Sequence, residues 1–260
     1  MPASIRFALL LMTGAAAAFG HCVNAADDAH ERGPWQIAAG VGAMVRPDFP
    51  GSDSTEVLPL PAFNIAYGDR WFLNGDGLGA YLVNDGRWLL SASIAPDMTR
   101  REESDSPHLR GTGDVDRTAV ANIRGGFRVG RVTATAAVAT DIADQGHGTT
   151  VDLVVQSRTE VTPRLALNYG VGARWIDDEY ATTFFGIDAR QSARSGLSIY
   201  DIESGFGDAR VFVNAIYQLA PRWILSTGAT AARLQDDAAD SPIVEDSDYF
   251  RFDAAVLYRF

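Results

Sequence analysis

From Trp35 to the C-terminus the chain alternates apolar and polar side chains with a period of two, over stretches of roughly 9 to 14 residues, and no helical period interrupts it. Successive side chains of a strand point to opposite faces, so this pattern means strands with one apolar and one polar face. Between Arg164 and Trp175 one face reads Leu165, Leu167, Tyr169, Val171, Ala173 and Trp175, and the other Arg164, Ala166, Asn168, Gly170, Gly172 and Arg174. Val151 to Val161 repeats the division, with Val151, Leu153, Val155 and Val161 opposite Asp152, Gln156, Arg158 and Glu160. Such strands suit a wall between lipid and water. A mean hydropathy of −0.04 with 47% hydrophobic residues excludes a bundle of apolar membrane helices. It does not exclude a membrane β-barrel, whose alternating strands average to neutral.

The connections sort by length. Short ones are Gly68-Asp69-Arg70, Asn84-Asp85-Gly86, Val129-Gly130-Arg131, Thr162-Pro163 before Arg164, and Ala220-Pro221-Arg222. Long polar ones, at 47–55, 97–116, 142–148, 179–203 and 236–247, alternate with them. Short turns on one rim and long loops on the other are the mark of a transmembrane antiparallel up-and-down barrel, with short periplasmic turns and long extracellular loops. In this register strands fall at 35–46, 57–67, 87–96, 117–129, 131–141, 149–161, 164–177, 204–219, 222–235 and 248–260. Residues 71–84 lie between two short turns on the same rim, so they form either a hairpin around Asn74-Gly75-Asp76-Gly77 or a piece folded inside. The hairpin gives twelve strands and the internal piece ten; both numbers are even and leave both termini in the periplasm. Trp71, Trp88 and Trp223 follow short turns and share a level with Tyr258 and Phe260, as a periplasmic aromatic girdle would.

The N-terminus has the order of a secretory signal: Arg6, the apolar run Phe7 to Phe19, then Val23-Asn24-Ala25-Ala26. The run is short for about 30 Å of hydrocarbon, so it reads as a signal peptide over 1–25, followed by a periplasmic leader over 26–34 and a barrel over 35–260. Cys22 does not fit a lipoprotein site, because His21 stands where a small residue is needed. This lone Cys excludes a disulfide framework and a Cys-based zinc site. The formal charge is −11, with every basic residue an Arg. That balance excludes a general nucleic-acid binder, which needs a basic face for phosphate.

Several segments resemble one family. The ending Val256-Leu257-Tyr258-Arg259-Phe260 is similar to the signal that the barrel assembly machinery reads during insertion, with Val256, Tyr258 and Phe260 at alternate positions. Phe49-Pro50-Gly51-Ser52, Leu58-Pro59-Leu60-Pro61, Tyr67-Gly68-Asp69, Phe184-Phe185-Gly186-Ile187, Arg233-Leu234-Gln235-Asp236-Asp237 and Asp240-Ser241-Pro242-Ile243-Val244 then follow in the order found in the MipA/OmpV family of Gram-negative outer membranes. Phe184 departs from the Tyr common there. The resemblance covers the mature chain. It implies an outer-membrane barrel in contact with lipid and lipopolysaccharide. It also implies a scaffold between a lytic murein transglycosylase and a bifunctional murein synthase, docked on the short-turn residues Asp69, Arg70, Asp85, Arg131, Arg164 and Arg222. Other members are linked to osmotic response, adhesion or antibiotic susceptibility.

The residues themselves offer little catalytic chemistry. A rim hydrolase needs a His beside a Ser or an acidic pair. His30 lies in the leader, His108 in a flexible-looking loop, and His147 between Gly146 and Gly148 reads as an exposed turn residue. None adjoins Asp236-Asp237 or Asp177-Asp178-Glu179 in sequence. Those carboxylates, with Asp240, Glu245 and Asp246, match no defined cation loop and read as solvated loop residues. The Gly pairs lie within strands and make no nucleotide cradle. The expectation is therefore no enzyme, no cofactor and no metal. The register puts Arg87, Arg124, Arg128, Arg158, Arg174, Arg210, Arg251 and Arg259 inward with Asp152, Glu160, Asp208 and Asp253. This set fits either a small anion-preferring pore or a lumen filled by Arg–carboxylate pairs; the small strand number favours the filled lumen.

Overall fold

The computed structural model describes residues 34–260. The expected signal peptide, and the leader up to residue 33, lie outside them. The remainder is a closed barrel of twelve antiparallel strands in the order β1-β12-β11-β10-β9-β8-β7-β6-β5-β4-β3-β2. These are β1 (Trp35–Pro47), β2 (Thr55–Tyr67), β3 (Trp71–Asn74), β4 (Gly77–Asn84), β5 (Trp88–Asp97), β6 (Thr118–Val129), β7 (Val132–Asp141), β8 (Thr149–Thr162), β9 (Leu165–Ile176), β10 (Gly205–Ala220), β11 (Trp223–Leu234) and β12 (Asp248–Arg259). Each pairs with its chain neighbours, and β1 closes the ring on β12 from Ala38↔Arg259 to Val45↔Phe252.

Alternation becomes two surfaces. Val41, Val57, Ile94, Ile123, Leu153, Val171, Val211 and Phe250 are all exposed. An apolar band of this extent is unstable against water and is what a bilayer covers. Residues of opposite parity, such as Ser91, Asn168, Asp208, Ser226 and Thr230, are buried inside. At the rim holding the short turns, rings pair at centroid distances of 4.7 Å (Trp35–Tyr67), 6.0 Å (Trp88–Phe127), 5.1 Å (Trp223–Tyr258) and 5.0 Å (Tyr258–Phe260). This is an interfacial girdle.

Residues 71–84 form the hairpin rather than an internal piece. β3 pairs with β2 only at Ile65↔Leu73 to Tyr67↔Trp71 and turns into β4 at Asn74↔Gly77. Above this low hairpin, among the described residues, β2 has β1 as its sole strand neighbour. Backbone groups of one parity point to one side. Gly68 donates toward Pro34, so the even residues of β2 face β1 and the odd ones face the open edge. Pro59 and Pro61 are odd and carry no N–H, which removes two donors where no strand would accept them.

One expectation changes. The polar loops hold helices α1 (Asp178–Phe185), α2 (Ala189–Ser195) and α3 (Asp236–Ala239), with a 3-10 turn at Pro107–Leu109. Each is too short for a 3.6-residue period to stand out. Their ends are nevertheless written in the chain: Asp177 caps α1, Asp188 and Gln191 form a capping box on α2, and Gly196 ends it at φ 80°.

Ring closure sets a steric condition on β1. A Cβ on Gly40 would strike the carbonyl of Val256 and, at 2.8 Å, the Cα of Leu257. Gly40→Val is expected to abolish most of the folded, heat-modifiable band on semi-native gels. Gly125→Ala, with nothing within 4 Å, leaves that band unchanged.

Candidate functional site

Three features frame what this barrel can do: its lumen, its outer mouth and its short-turn rim. In the lumen, β8, β9 and β10 bring Asp152, Arg174, Asp208 and Arg210 to one level. Arg210 Nη2 lies 2.6 Å from Asp152 and its Nη1 3.0 Å from Asp208, while Arg174 Nε stands 3.7 Å from both carboxylates. Gly172 makes room for this cluster, since a Cβ there would sit 3.0 Å from the Arg210 guanidinium. Arg124 Nη2 reaches Asp76 at 2.7 Å. The pairs therefore run along the wall, Arg210 reaching Asp152 past β9 and Arg124 reaching Asp76 past β5, rather than straight across the lumen. Arg128 Nε donates to Thr133 at 3.4 Å, and Arg158 shares the inward parity of Asp152. Arg251 and Arg259 also turn inward, each with a buried Nε that meets no acceptor among the described residues. Arg87 departs from the expected set: it is exposed in the Asp85–Arg87 turn, because β5 begins only at Trp88.

The outer mouth is closed by a cap. α1 and α3 fold inward with the segment after β5 and the loop residues around α2, and build two apolar clusters. One joins Tyr180, Phe184 and Phe185 to Ile176, Ile202, Leu234 and Ala238. The other joins Phe49, Leu109, Ile187 and Ile243, all at most 2% exposed. Each such side chain contributes about 1.5–3 kcal/mol on burial, against about 0–1 for an exposed ion pair. The cap is thus held by its own core. Polar ties lock it: Arg101 Nη1 donates to the carbonyl of Phe184 at 2.7 Å, Ser106 Oγ to Glu245 at 2.9 Å, and Ser241 Oγ to the carbonyl of Phe185 at 2.5 Å. The outer carboxylates are partly structural. Asp177 accepts from Tyr180 N and Thr149 N at 2.9 and 2.7 Å, and Asp178 from Ser204 N at 2.6 Å. No group of acidic or His residues among the described residues is arranged to hold a metal ion.

Both described histidines belong to the cap, which corrects two expectations. His108 is ordered, its Nε2 lying 2.6 Å from the carbonyl of Pro242. His147 is 2% exposed rather than an exposed turn residue. Its Nδ1 is 3.1 Å from Asp97, its Nε2 2.7 Å from the carbonyl of Asp116, and its ring stands edge-on to Phe184 at 5.0 Å. The flanking glycines let the chain turn this side chain inward, with φ 81° at Gly146 and 51° at Gly148. Asp69, Arg70, Arg131, Arg164 and Arg222 are exposed on the short-turn rim. Asp85 is exposed there too, but its carboxylate also shapes the turn, accepting from Arg87 N at 2.9 Å and Trp88 N at 2.6 Å.

A family model described as "MltA-interacting protein MipA" matches residues 39–260. The chain belongs to the MipA family. A protein of Escherichia coli strain K12 named MltA-interacting protein is 27% identical over 89% of this chain and 92% of its own length. Another K12 protein, named putative outer membrane protein YiaT, is 25% identical over 86% of this chain and 90% of its own. Among solved structures, an outer membrane channel from Pseudomonas putida F1 has 12% identity and a TM-score of 0.43, covering 90% of this chain and all of that one. OprG of Pseudomonas aeruginosa has 12% identity and a TM-score of 0.32, covering 90% of this chain and 99% of its own. This MipA-family chain is an outer-membrane barrel. Its family segments converge in space: Phe49, Ile187 and Ile243 share one cluster. Phe184, Phe185 and Leu234 share the other, with Val244 packed against it. A Cβ on Gly51 would lie 2.6 Å from Val244. The segments that mark the family are largely those that build the cap.

Two outcomes test this geometry. Burial alone would lower the His147 pKa, but the facing Asp97 carboxylate and Asp116 carbonyl outweigh it and hold it above 6.5. Asp141 Oδ2, which accepts from His147 N at 3.1 Å, adds to that field. A raised folded-state pKa means stability fully present below the unfolded value and lost as pH rises through the folded one. The protection factors of the amides at 142–148, that is, exchange relative to the intrinsic rate at each pH, are therefore expected to be higher at pH 5.5 than at pH 8, with His147→Gln removing the difference. Separately, Arg210→Ala leaves Asp152 and Asp208 with Arg174 alone. It is expected to lower unfolding stability by on the order of 2 kcal/mol, discounted for the partial exposure of Asp152, read from urea midpoints in detergent.

Proposed function

We propose that this MipA-family barrel is a capped scaffold, without catalysis of its own, whose periplasmic rim docks a lytic murein transglycosylase and a bifunctional murein synthase. The observation that carries the reading is an asymmetry between the two ends. The outer mouth is filled by an apolar core and tied across loops, whereas the short-turn rim offers unburied side chains on a rigid wall. On a chain of net charge −11 that rim is locally basic, with Arg70, Arg87, Arg131, Arg164 and Arg222 against Asp69 and Asp85. Such a patch steers an acidic partner surface and sets its orientation more than its affinity. The name of the Escherichia coli relative, MltA-interacting protein, supports the same partner class. Lipid and lipopolysaccharide meet the apolar band, and Val256, Tyr258 and Phe260 serve as the insertion signal for the barrel assembly machinery.

The alternative, a small Arg-lined pore or an antibiotic- or osmotic-response barrel, requires ions or solutes to pass the cap. In planar bilayers the purified barrel is expected to be silent, and stable channels of constant conductance would overturn the scaffold reading in favour of the pore. In the docking assay, the triple variant Arg131→Glu, Arg164→Glu, Arg222→Glu is expected to reduce capture of the transglycosylase by roughly tenfold, at about 0.5 kcal/mol for each exposed charge. Undiminished capture by the correctly inserted variant removes the rim from the interface.

A further inference from the structure

We propose that the outer cap holds a binding site for a small zwitterionic amino carboxylate, an amino acid or the end of a short peptide, with Arg101 as the receptor for its carboxylate. The site is a cavity of about 360 Å³ between the segment after β5 and the α1–α2 region, lined among others by Arg101, Thr112, Asp114, Asp188, Gln191 and Asp201. Its volume falls at the lower end of small-molecule pockets.

Arg101 carries the inference because its charge is unmatched. It is 1% exposed. Of its five N–H donors, one reaches a protein acceptor, the carbonyl of Phe184 at 2.7 Å, and its buried Nε meets none among the described residues. No carboxylate among them lies within ion-pair distance of it. The adjacent Arg100 shows the contrast, with Glu56 at 3.4 Å, Glu102 at 3.0 Å and Asp105 at 3.0 Å. Burial pulls the Arg101 pKa down to about 10, with only Asp114 opposing it. A buried guanidinium bordering a polar cavity offers a planar fork that matches an oxyanion. Leaving it unmet is costly, and a bound carboxylate would remove that cost.

The surrounding charges narrow the ligand. Asp114 and Asp188 each spend Oδ1 on a backbone N–H, from Glu103 and Gln191 respectively, and Asp201 is exposed. Three carboxylates around one buried cation disfavour a dianion such as phosphate and favour a ligand whose own cation follows its carboxylate. Ile187 and Ile202 add an apolar wall to the same cavity, suited to a side chain. The inference concerns the outer face and stands apart from the periplasmic docking proposed above.

The test uses the full barrel in detergent and four probes: L-leucine, acetate, methylamine and inorganic phosphate, each titrated by calorimetry. L-leucine is expected to bind saturably and more tightly than acetate, with methylamine weakest. Arg101→Gln keeps a donor for the Phe184 carbonyl and is expected to weaken L-leucine by about tenfold or more. Amide protection over 178–185 reports whether the cap of that variant is intact. The exposed variant Asp201→Asn, which leaves the cap untouched, is expected to narrow the preference for L-leucine over acetate. Absence of saturable L-leucine binding to the wild type overturns the proposal. So does equal binding by an intact-capped Arg101→Gln, or tighter binding of phosphate than of L-leucine.

Discussion

Hydrocarbon supplies no partner for a backbone N–H or C=O, so every strand that crosses it must be paired on both sides. Closure of β1 on β12 meets that demand, and the rest of the architecture follows from it. Closing a sheet in which every pair is antiparallel requires an even number of strands, and the up-and-down order then alternates the connections between the rims, with the short turn of the low β3–β4 hairpin the exception to the short-turn rim. Among the described residues, the sector where pairing fails, above the β3–β4 hairpin, is also where Pro59 and Pro61 delete donors from the open edge of β2. Gly40 and Gly42 in β1 show the same economy at the seam, where a side chain would occupy the place of the β12 backbone.

A closed wall creates an interior that must be filled or left wet. Here two neighbouring levels of the interior are treated differently. Just beneath the cap, Asp152, Arg174, Asp208 and Arg210 sit near the outer ends of β8, β9 and β10 and neutralise one another in place. At the outer mouth, the chain builds a small hydrophobic core from loops, which is unusual for segments so rich in carboxylates. The acidic residues are compatible with that core because many serve as caps and turn anchors, as Asp177 and Asp178 do. The two proposed sites divide along the same axis, one resting on exposed charge at the short turns and the other on a buried guanidinium with no ion-pair partner among the described residues at the outer face.

The wall was legible because period-two alternation is a local signal and turn length is another; the parity of the flanking turns narrowed 71–84 to a hairpin or an internal piece, and only the pairing of β3 with β2 and β4 chose between them. The cap was not. Its helices span four to eight residues, too few to show a period, and its core is assembled from Phe49, Leu109, Ile187 and Ile243, which no local pattern links. His147 misleads for the same reason. Two flanking glycines look like a surface turn, and the carboxylate and carbonyl that bury it stand 50 and 31 residues away. The capping box at Asp188–Gln191 was a readable sign that the loop is structured. Arg87 fell outside the lumen because parity assigns a direction only within a strand, and β5 begins one residue after it.

The cap also has a history in time. Its ties join residues 83, 139 and 134 apart, at Arg101–Phe184, Ser106–Glu245 and His108–Pro242. Bringing such distant loops together carries a large closure entropy until the sheet has already placed their stems side by side. The cap is therefore expected to order only once the wall holds those stems side by side, so that its stability depends on the barrel while the barrel's pairing does not depend on the cap.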